Sequence, residues 1–239
     1  MNITLFRQKI SIGGNFLLDL VFPITCQGCK TEGVYLCLSC QTQISILIQR
    51  CILCGKNSLL SQIHANCQNH PPLSGILTVA DYQDPRINQL IGNLKYNGIK
   101  AMAENLALVA CDFLISQDLL DYFSEFTIVS VPLHKRKHLD RGFNQAELIA
   151  SSIARRLNLP MISPLARIKK TKTQVGQDRE HRIENLKGAF ALADEVNLEN
   201  KKILLIDDVA TTGATLLEAA RTLQKAKPAQ IWGLVIARN

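Results

Sequence analysis

The chain has 239 residues, 47% hydrophobic and 20% charged, which fits a soluble globular protein of one or two domains. No apolar run reaches the roughly 18 residues that read as a bilayer-crossing helix, and the amino-terminal stretch Phe16 to Phe22 is short and broken by Asp19. The net charge of +7 favours anionic partners such as polyphosphates, nucleic acid or acidic surfaces.

The basic residues are not spread evenly. They gather at His134 to Arg141 and at Arg167 to Lys187. No small-residue cleavage site follows a long apolar segment at the amino terminus, so a cytoplasmic location without membrane insertion is expected. The oligomeric state is not legible.

Residues 1–75 form the first predicted unit, and they hold seven of the eight cysteines. The pairs are Cys26-x2-Cys29, Cys37-x2-Cys40, Cys51-x2-Cys54 and Cys67-x2-His70. In a reducing compartment such spacing points to metal rather than to disulfides. Each pair sets two ligands on one tight turn, where they can grip a tetrahedral zinc. Eight ligands suffice for two closed sites, so one or two structural zinc ions are expected in a double-zinc-ribbon-like module. The simplest grouping joins Cys26, Cys29, Cys37 and Cys40 at one site and Cys51, Cys54, Cys67 and His70 at the other. A cross-braced grouping stays open on spacing alone. Gly28 and Gly55 are read as relieving left-handed turns. Metal would also supply folding energy to a segment too short to build its own core. His70-Pro71-Pro72 closes the unit as a stiff linker.

Residues 76–239 form the second unit. Gly75 to Tyr82 reads as a strand, then Asp84 caps a helix with Pro85 at its first position. Ala101 to Ile115 reads as a helix with Cys111 in its core face. Thr127 to Leu133 is a short buried strand, and Asn144 to Leu157 a helix that Asn144 or Gln145 can cap. Met161-Ile162 and Phe190 to Asp194 read as short strands. Lys201 to Asp207 is a buried parallel strand, Ala214 to Ala226 a helix, and Gln230 to Arg238 a last strand. Strands alternating with helices define an α/β fold with a mainly parallel sheet flanked by helices.

The chemistry concentrates in Ile203 to Thr215, ILLIDDVATTGAT. Asp207 and Asp208 follow an apolar strand, and ligands of such sheets bind beyond the carboxyl ends of strands. Carboxylates accept hydrogen bonds from vicinal hydroxyls. Small residues opening a helix let backbone N–H groups and the helix dipole reach a phosphate. Diol acceptors followed by a phosphate cup suggest a ribose 5-phosphate.

This segment resembles the motif by which type I phosphoribosyltransferases bind phosphoribosyl pyrophosphate (PRPP). With VPLHKRKHLDRGFNQAELIA, RIKKTKTQVGQDREHRIENLKGAF, ADYQDPRINQLIGNLKYNG and the cysteine pairs, the chain resembles the ComF family, ComFC and GntX, related to amidophosphoribosyltransferase-like proteins. Cys67-x2-His70 departs from the C-x-x-C that relatives often carry there. The resemblance implies a type I phosphoribosyltransferase-like domain that handles PRPP with Mg²⁺. It implies that Asp207 and Asp208 bind the ribose hydroxyls. Ala210, Thr211, Thr212, Gly213, Ala214 and Thr215 would cradle the 5′-phosphate. Pro132, Leu133 and His134 would form the pyrophosphate loop, with Lys135, Arg136 and Arg141 as nearby cations. Arg167, Thr171, Gln174 and Arg182 would belong to the lid. The acceptor is not identified, and no general base stands out. A transferase, a DNA-uptake protein that binds single-stranded DNA or DNA-uptake proteins, and a PRPP sensor without turnover all remain open. Phe143 is the main aromatic candidate for base stacking.

Overall fold

Five strands pair in parallel in the computed structural model, which describes residues 23–67, 71–169, 184–193 and 196–238. They are β1 (Gly75–Asp81), β2 (Phe126–Ser130), β3 (Met161–Ile162), β6 (Lys202–Ala210) and β7 (Gln230–Arg238), in the order β1-β7-β6-β2-β3. Their sequences are near-continuous apolar runs because both faces of the sheet are covered. On one face lie α2 (Pro85–Tyr96), α3 (Met102–Ser116) and α6 (Gln145–Leu157), whose buried residues share a core with Leu204 and Ile206. On the other lies α7 (Ala214–Gln224), whose Leu216, Leu217 and Leu223 join Ile203 and Leu205. A short helix, α4 (Leu120–Phe123), sets Tyr122 and Phe123 edge-on to Trp232.

The helix signals in the sequence do the work expected of them. Asp84 Oδ1 accepts the Arg86 N–H at 2.9 Å and starts α2 with Pro85 at its first turn. Asn144 Oδ1 accepts the Ala146 N–H at 3.2 Å and starts α6, while its Nδ2 donates to the Val131 carbonyl at 3.0 Å. Cys111 is buried on α3, and burial pushes its thiol up to about 11.

Three features differ from the sequence reading. Phe190 to Asp194 was expected to be a strand, and β5 (Phe190–Leu192) pairs antiparallel with β4 (Leu165–Arg167), in a hairpin outside the main sheet. Lys135–Arg141, read as cations around a loop, is a helix, α5. It carries no apolar stripe, and is held by the His134 ring Nδ1 accepting the Arg136 N–H at one end and Gly142 in the left-handed conformation at the other. Finally, β6 runs on through both aspartates to Ala210.

The cysteine-bearing segment covers the open edge of β1. Gln49 turns its side-chain amide on that edge: Nε2 donates to the Thr78 carbonyl at 2.8 Å and Oε1 accepts the Thr78 N–H at 3.1 Å. A short helix, α1 (Leu38–Thr42), ends beside Arg86, which donates to the carbonyls of Cys40 and Gln43. Among the described residues no helix is long and apolar enough to cross a membrane.

Candidate functional site

The site forms at the carboxyl end of β6, the middle strand of the sheet. Side chains alternate along a strand, so the two aspartates diverge. Asp208 falls on the face of Leu204 and Ile206, where Lys95 Nζ of α2 meets its Oδ2 at 3.0 Å. Asp207 falls on the face of Ile203 and Leu205, and Arg167 of β4 is among the charges that act on it. Burial and the neighbouring Asp208 charge push the Asp207 carboxyl up to about 7, against the Asp208 N–H, Lys95 and Arg167. The Asp208 N–H itself donates to Asp207 Oδ1 at 2.9 Å.

Cations converge on this pair from three elements. The Lys137 ammonium of α5 is held below the ordinary lysine range by partial desolvation and by Arg167, Arg141 and Lys95. The Arg167 guanidinium lies 5.5 Å from the centre of the Phe190 ring. Four cations crowded around two carboxylates make a local positive field suited to a polyanion. Lys95 and Lys137 were not singled out in the sequence. Lys95 stands in the last turn of an amphipathic helix, where a basic residue reads as a complement to the helix dipole.

The turn after β6 opens α7. Ala210, its first predicted member, is the last residue of the strand and is buried. Thr211 is exposed and Thr212 and Thr215 are half-buried. Gly213 caps α7 at φ +74°, and Thr212 Oγ1 accepts the Ala214 N–H at 3.4 Å. Pro132, Leu133 and His134 follow β2, and the Val131 N–H donates to the Ile206 carbonyl at 2.9 Å, which sets this turn beside Asp207. Of the predicted cations, Arg141 and Arg167 belong to the cluster, whereas Lys135 and Arg136 are exposed on α5. Thr171, Gln174 and Arg182 lie outside the described residues. Phe143, the main aromatic candidate for stacking, is buried, 7% exposed, because it packs in the core cluster that includes Ile149 and Ile153 of α6. The exposed aromatic at the rim is Tyr96, at 75%, with the Arg141 guanidinium 5.7 Å from its ring centre.

Two donor clusters stand apart from this site. Cys26, Cys29, Cys37 and Cys40 bring their sulfurs within 4.8 Å of one another, and so do the donor atoms of Cys51, Cys54, His64 and Cys67. The sequential grouping of pairs is therefore the one the structure shows. Contact distances of 3.6 Å for Cys29–Cys37 and 3.8 Å for Cys51–Cys67 match the sulfur–sulfur edge of a tetrahedron with bonds of about 2.3 Å. Cys54 Sγ to His64 Nδ1 is 3.3 Å. Both clusters can hold zinc. His70, the predicted fourth ligand, lies outside the described residues, and His64 completes the second cluster. His64-Ala65-Asn66-Cys67 carries the same x2 spacing on the other side of Cys67, a signal the sequence did offer.

In the first cluster burial raises the Cys26 thiol, but the N–H groups of Cys37, Gly28 and Cys29 outweigh it and bring it down to about 6. Cys40 is pushed up to about 12 by burial and by its thiol neighbours. Four thiols this close need a cation to ionise together. Gly55 adopts φ +73°, whereas Gly28 is needed for another reason: a Cβ there would lie 2.5 Å from Cys40 Sγ.

The phosphoribosyl transferase domain family matches residues 144–239, which include β6, the small-residue turn and α7. Competence protein F of Haemophilus influenzae is 32% identical over 212 residues, covering 84% of this chain and 90% of its own. The DNA utilization protein YhgH of Escherichia coli K12 is 34% identical over 192 residues, covering 77% and 82%. Competence protein ComFC of Bacillus subtilis is 29% identical over 213 residues, covering 85% and 84%. The chain belongs to the ComF family, and it joins two cysteine-rich donor clusters to a phosphoribosyl transferase domain.

Two outcomes are expected. Purified His64→Ala should hold one zinc fewer per chain than the parent by elemental analysis, and His70→Ala should match the parent; the reverse result contradicts the second donor set. The second concerns pH. The ordinary aspartate value is 3.8 and Asp207 stands at about 7. Across that window the folded chain keeps a proton that the unfolded chain has released. Stability is therefore full below the window and declines as pH rises through it. Asp207→Asn removes the titration and keeps an oxygen for the Asp208 N–H. In urea unfolding it should match the parent near about pH 4 and exceed it near about pH 8, on the order of a few kcal/mol. Parallel profiles would contradict the raised carboxyl.

Proposed function

We propose that this protein binds PRPP with Mg²⁺ at the end of β6 and transfers the phosphoribosyl group to an acceptor, in a role tied to DNA uptake. The observation that carries this reading is the placement of Asp207 and Asp208 between a small-residue turn that opens α7 and the cations Lys95, Lys137, Arg141 and Arg167. Each part has a counterpart in PRPP. Ribose hydroxyls donate to the two carboxylates. The 5′-phosphate accepts N–H groups from residues 211–215 at the positive end of α7. The pyrophosphate faces the cations. In transfer, the bond from the anomeric carbon to the pyrophosphate oxygen breaks and the acceptor forms the new one. Pyrophosphate leaves with the electron pair, and the cations stabilise that charge. Mg²⁺ bound together with PRPP would supply further neutralisation of that charge.

The names of the relatives, competence and DNA utilization proteins, support a role in handling incoming DNA. Exposed Lys135 and Arg136 on α5, with Tyr96 at the rim, offer phosphate contacts and one stacking face to single-stranded DNA. A PRPP-responsive DNA-binding protein without turnover is the alternative.

Calorimetry with Mg²⁺ and PRPP tests the first reading. Asp207→Ala with Asp208→Ala should weaken binding by about a hundredfold or more, since charge-assisted hydrogen bonds to both hydroxyls are lost. Unchanged affinity would remove the ligand assignment. Pyrophosphate release with an acceptor marks the transferase, and binding without release marks the sensor. In the same preparation, Lys135→Ala with Arg136→Ala should lower the salt slope of single-strand binding by about 1.4, and an unchanged slope would exclude α5 as the contact.

A further inference from the structure

The second donor cluster touches the phosphate turn. Ile52 sits in the tight turn between Cys51 and Cys54 and is 2% exposed. Its side chain lies under Gly213: a Cβ on Gly213 would stand 2.6 Å from Ile52 Cγ1 and 3.1 Å from Ile76 Cδ1. Only glycine fits there, on grounds of space and of the φ of +74°. Gly213 is also the residue from which α7 starts, so its conformation aims the N–H groups of the first helical turn. Ile52, Ile76, Ala210, Leu216 and Leu217 share one core.

The Ile52 turn is shaped by Cys51 N–H donating to the Lys56 carbonyl and Gly55 N–H to the Cys51 carbonyl, each 2.9 Å, and by the N–H groups of Leu53, Cys54 and His64 on the Cys51 sulfur, a metal donor. Cys54 is exposed and His64 half-buried, and metal across Cys51, Cys54, His64 and Cys67 would tie this turn to the 64–67 segment. The first cluster has no such reach, since Cys26 and Cys40 pack with α2 and α3 on the opposite face of the sheet.

We propose that Ile52 is a positioning residue for the phosphate turn, and that metal in the second cluster holds it there. With the metal bound, Ile52 keeps Gly213 in its left-handed conformation and the N–H groups converge. Without it the floor loosens and glycine, the residue with most backbone freedom to regain, lets the turn spread. The consequence for PRPP affinity rests on the function proposed above; the consequence for the turn does not.

Amide hydrogen exchange on the full-length, zinc-loaded chain separates the two. In Ile52→Ala, with zinc content unchanged, amides 211–217 should exchange about tenfold faster, while those of β6 at 203–206 stay protected. Cys54→Ser should show the same local loosening, Cys29→Ser should not, and Ile52→Val should restore the parent pattern. PRPP affinity should fall about tenfold in Ile52→Ala. Unchanged exchange in both Ile52→Ala and Cys54→Ser overturns the proposal, as does acceleration spread evenly over β6 and β7, which would mark Ile52 as general packing. Faster exchange at 211–217 in a chain whose parent binds no PRPP would sustain the coupling and refute the PRPP reading.

Discussion

Two adjacent carboxylates at the end of a buried central strand are a standing electrostatic problem. They cannot both ionise in that setting without positive charge and donors close by. Most of the site follows from that need. The strand's alternation sends Asp208 to Lys95 on one face and Asp207 towards Arg167 on the other. The burial that raises Asp207 also keeps both groups from being satisfied by bulk water. A ligand with two vicinal hydroxyls and two anionic ends would complete the arrangement, because it donates to the carboxylates and accepts from the cations and the turn.

The sheet makes that arrangement rigid. Parallel strands covered on both faces leave β6 no freedom to tilt, and Val131 bonded to Ile206 holds the Pro132 turn in register with it. The open edge of β1 is closed by the cysteine-bearing segment through Gln49, and Ile52 carries the same segment under the turn that opens α7. Metal in the second cluster would thus serve the sheet edge and the site at once.

The sequence spoke clearly where a local rule governs. Asp84-Pro85 announced α2, Asn144 announced α6, and the apolar run into Asp207-Asp208 announced β6, because caps and strand periodicity act over a few residues. The x2 spacing grouped the cysteine pairs correctly. It left His64 unnoticed, because His70, outside the described residues, offers the same spacing on the other side of Cys67. α5 was illegible for the opposite reason: Leu139, its one large apolar residue, is 82% exposed, so no apolar stripe marks the helix. β4 and β5 are three residues each, too short for any period to declare itself. Lys95 and Ile52 needed the fold, since their partners Asp208 and Gly213 lie far along the chain and no spacing rule links them.

The proposed site would read all three parts of PRPP together. The direct test is competition calorimetry in Mg²⁺ with PRPP, ribose 5-phosphate and pyrophosphate. Joined parts bind with the advantage of high effective concentration, so PRPP should bind about a hundredfold or more tightly than either fragment, and each fragment should displace it. Equal affinity for PRPP and one fragment, or fragments that bind without displacing PRPP, would contradict a single site built around Asp207 and Asp208.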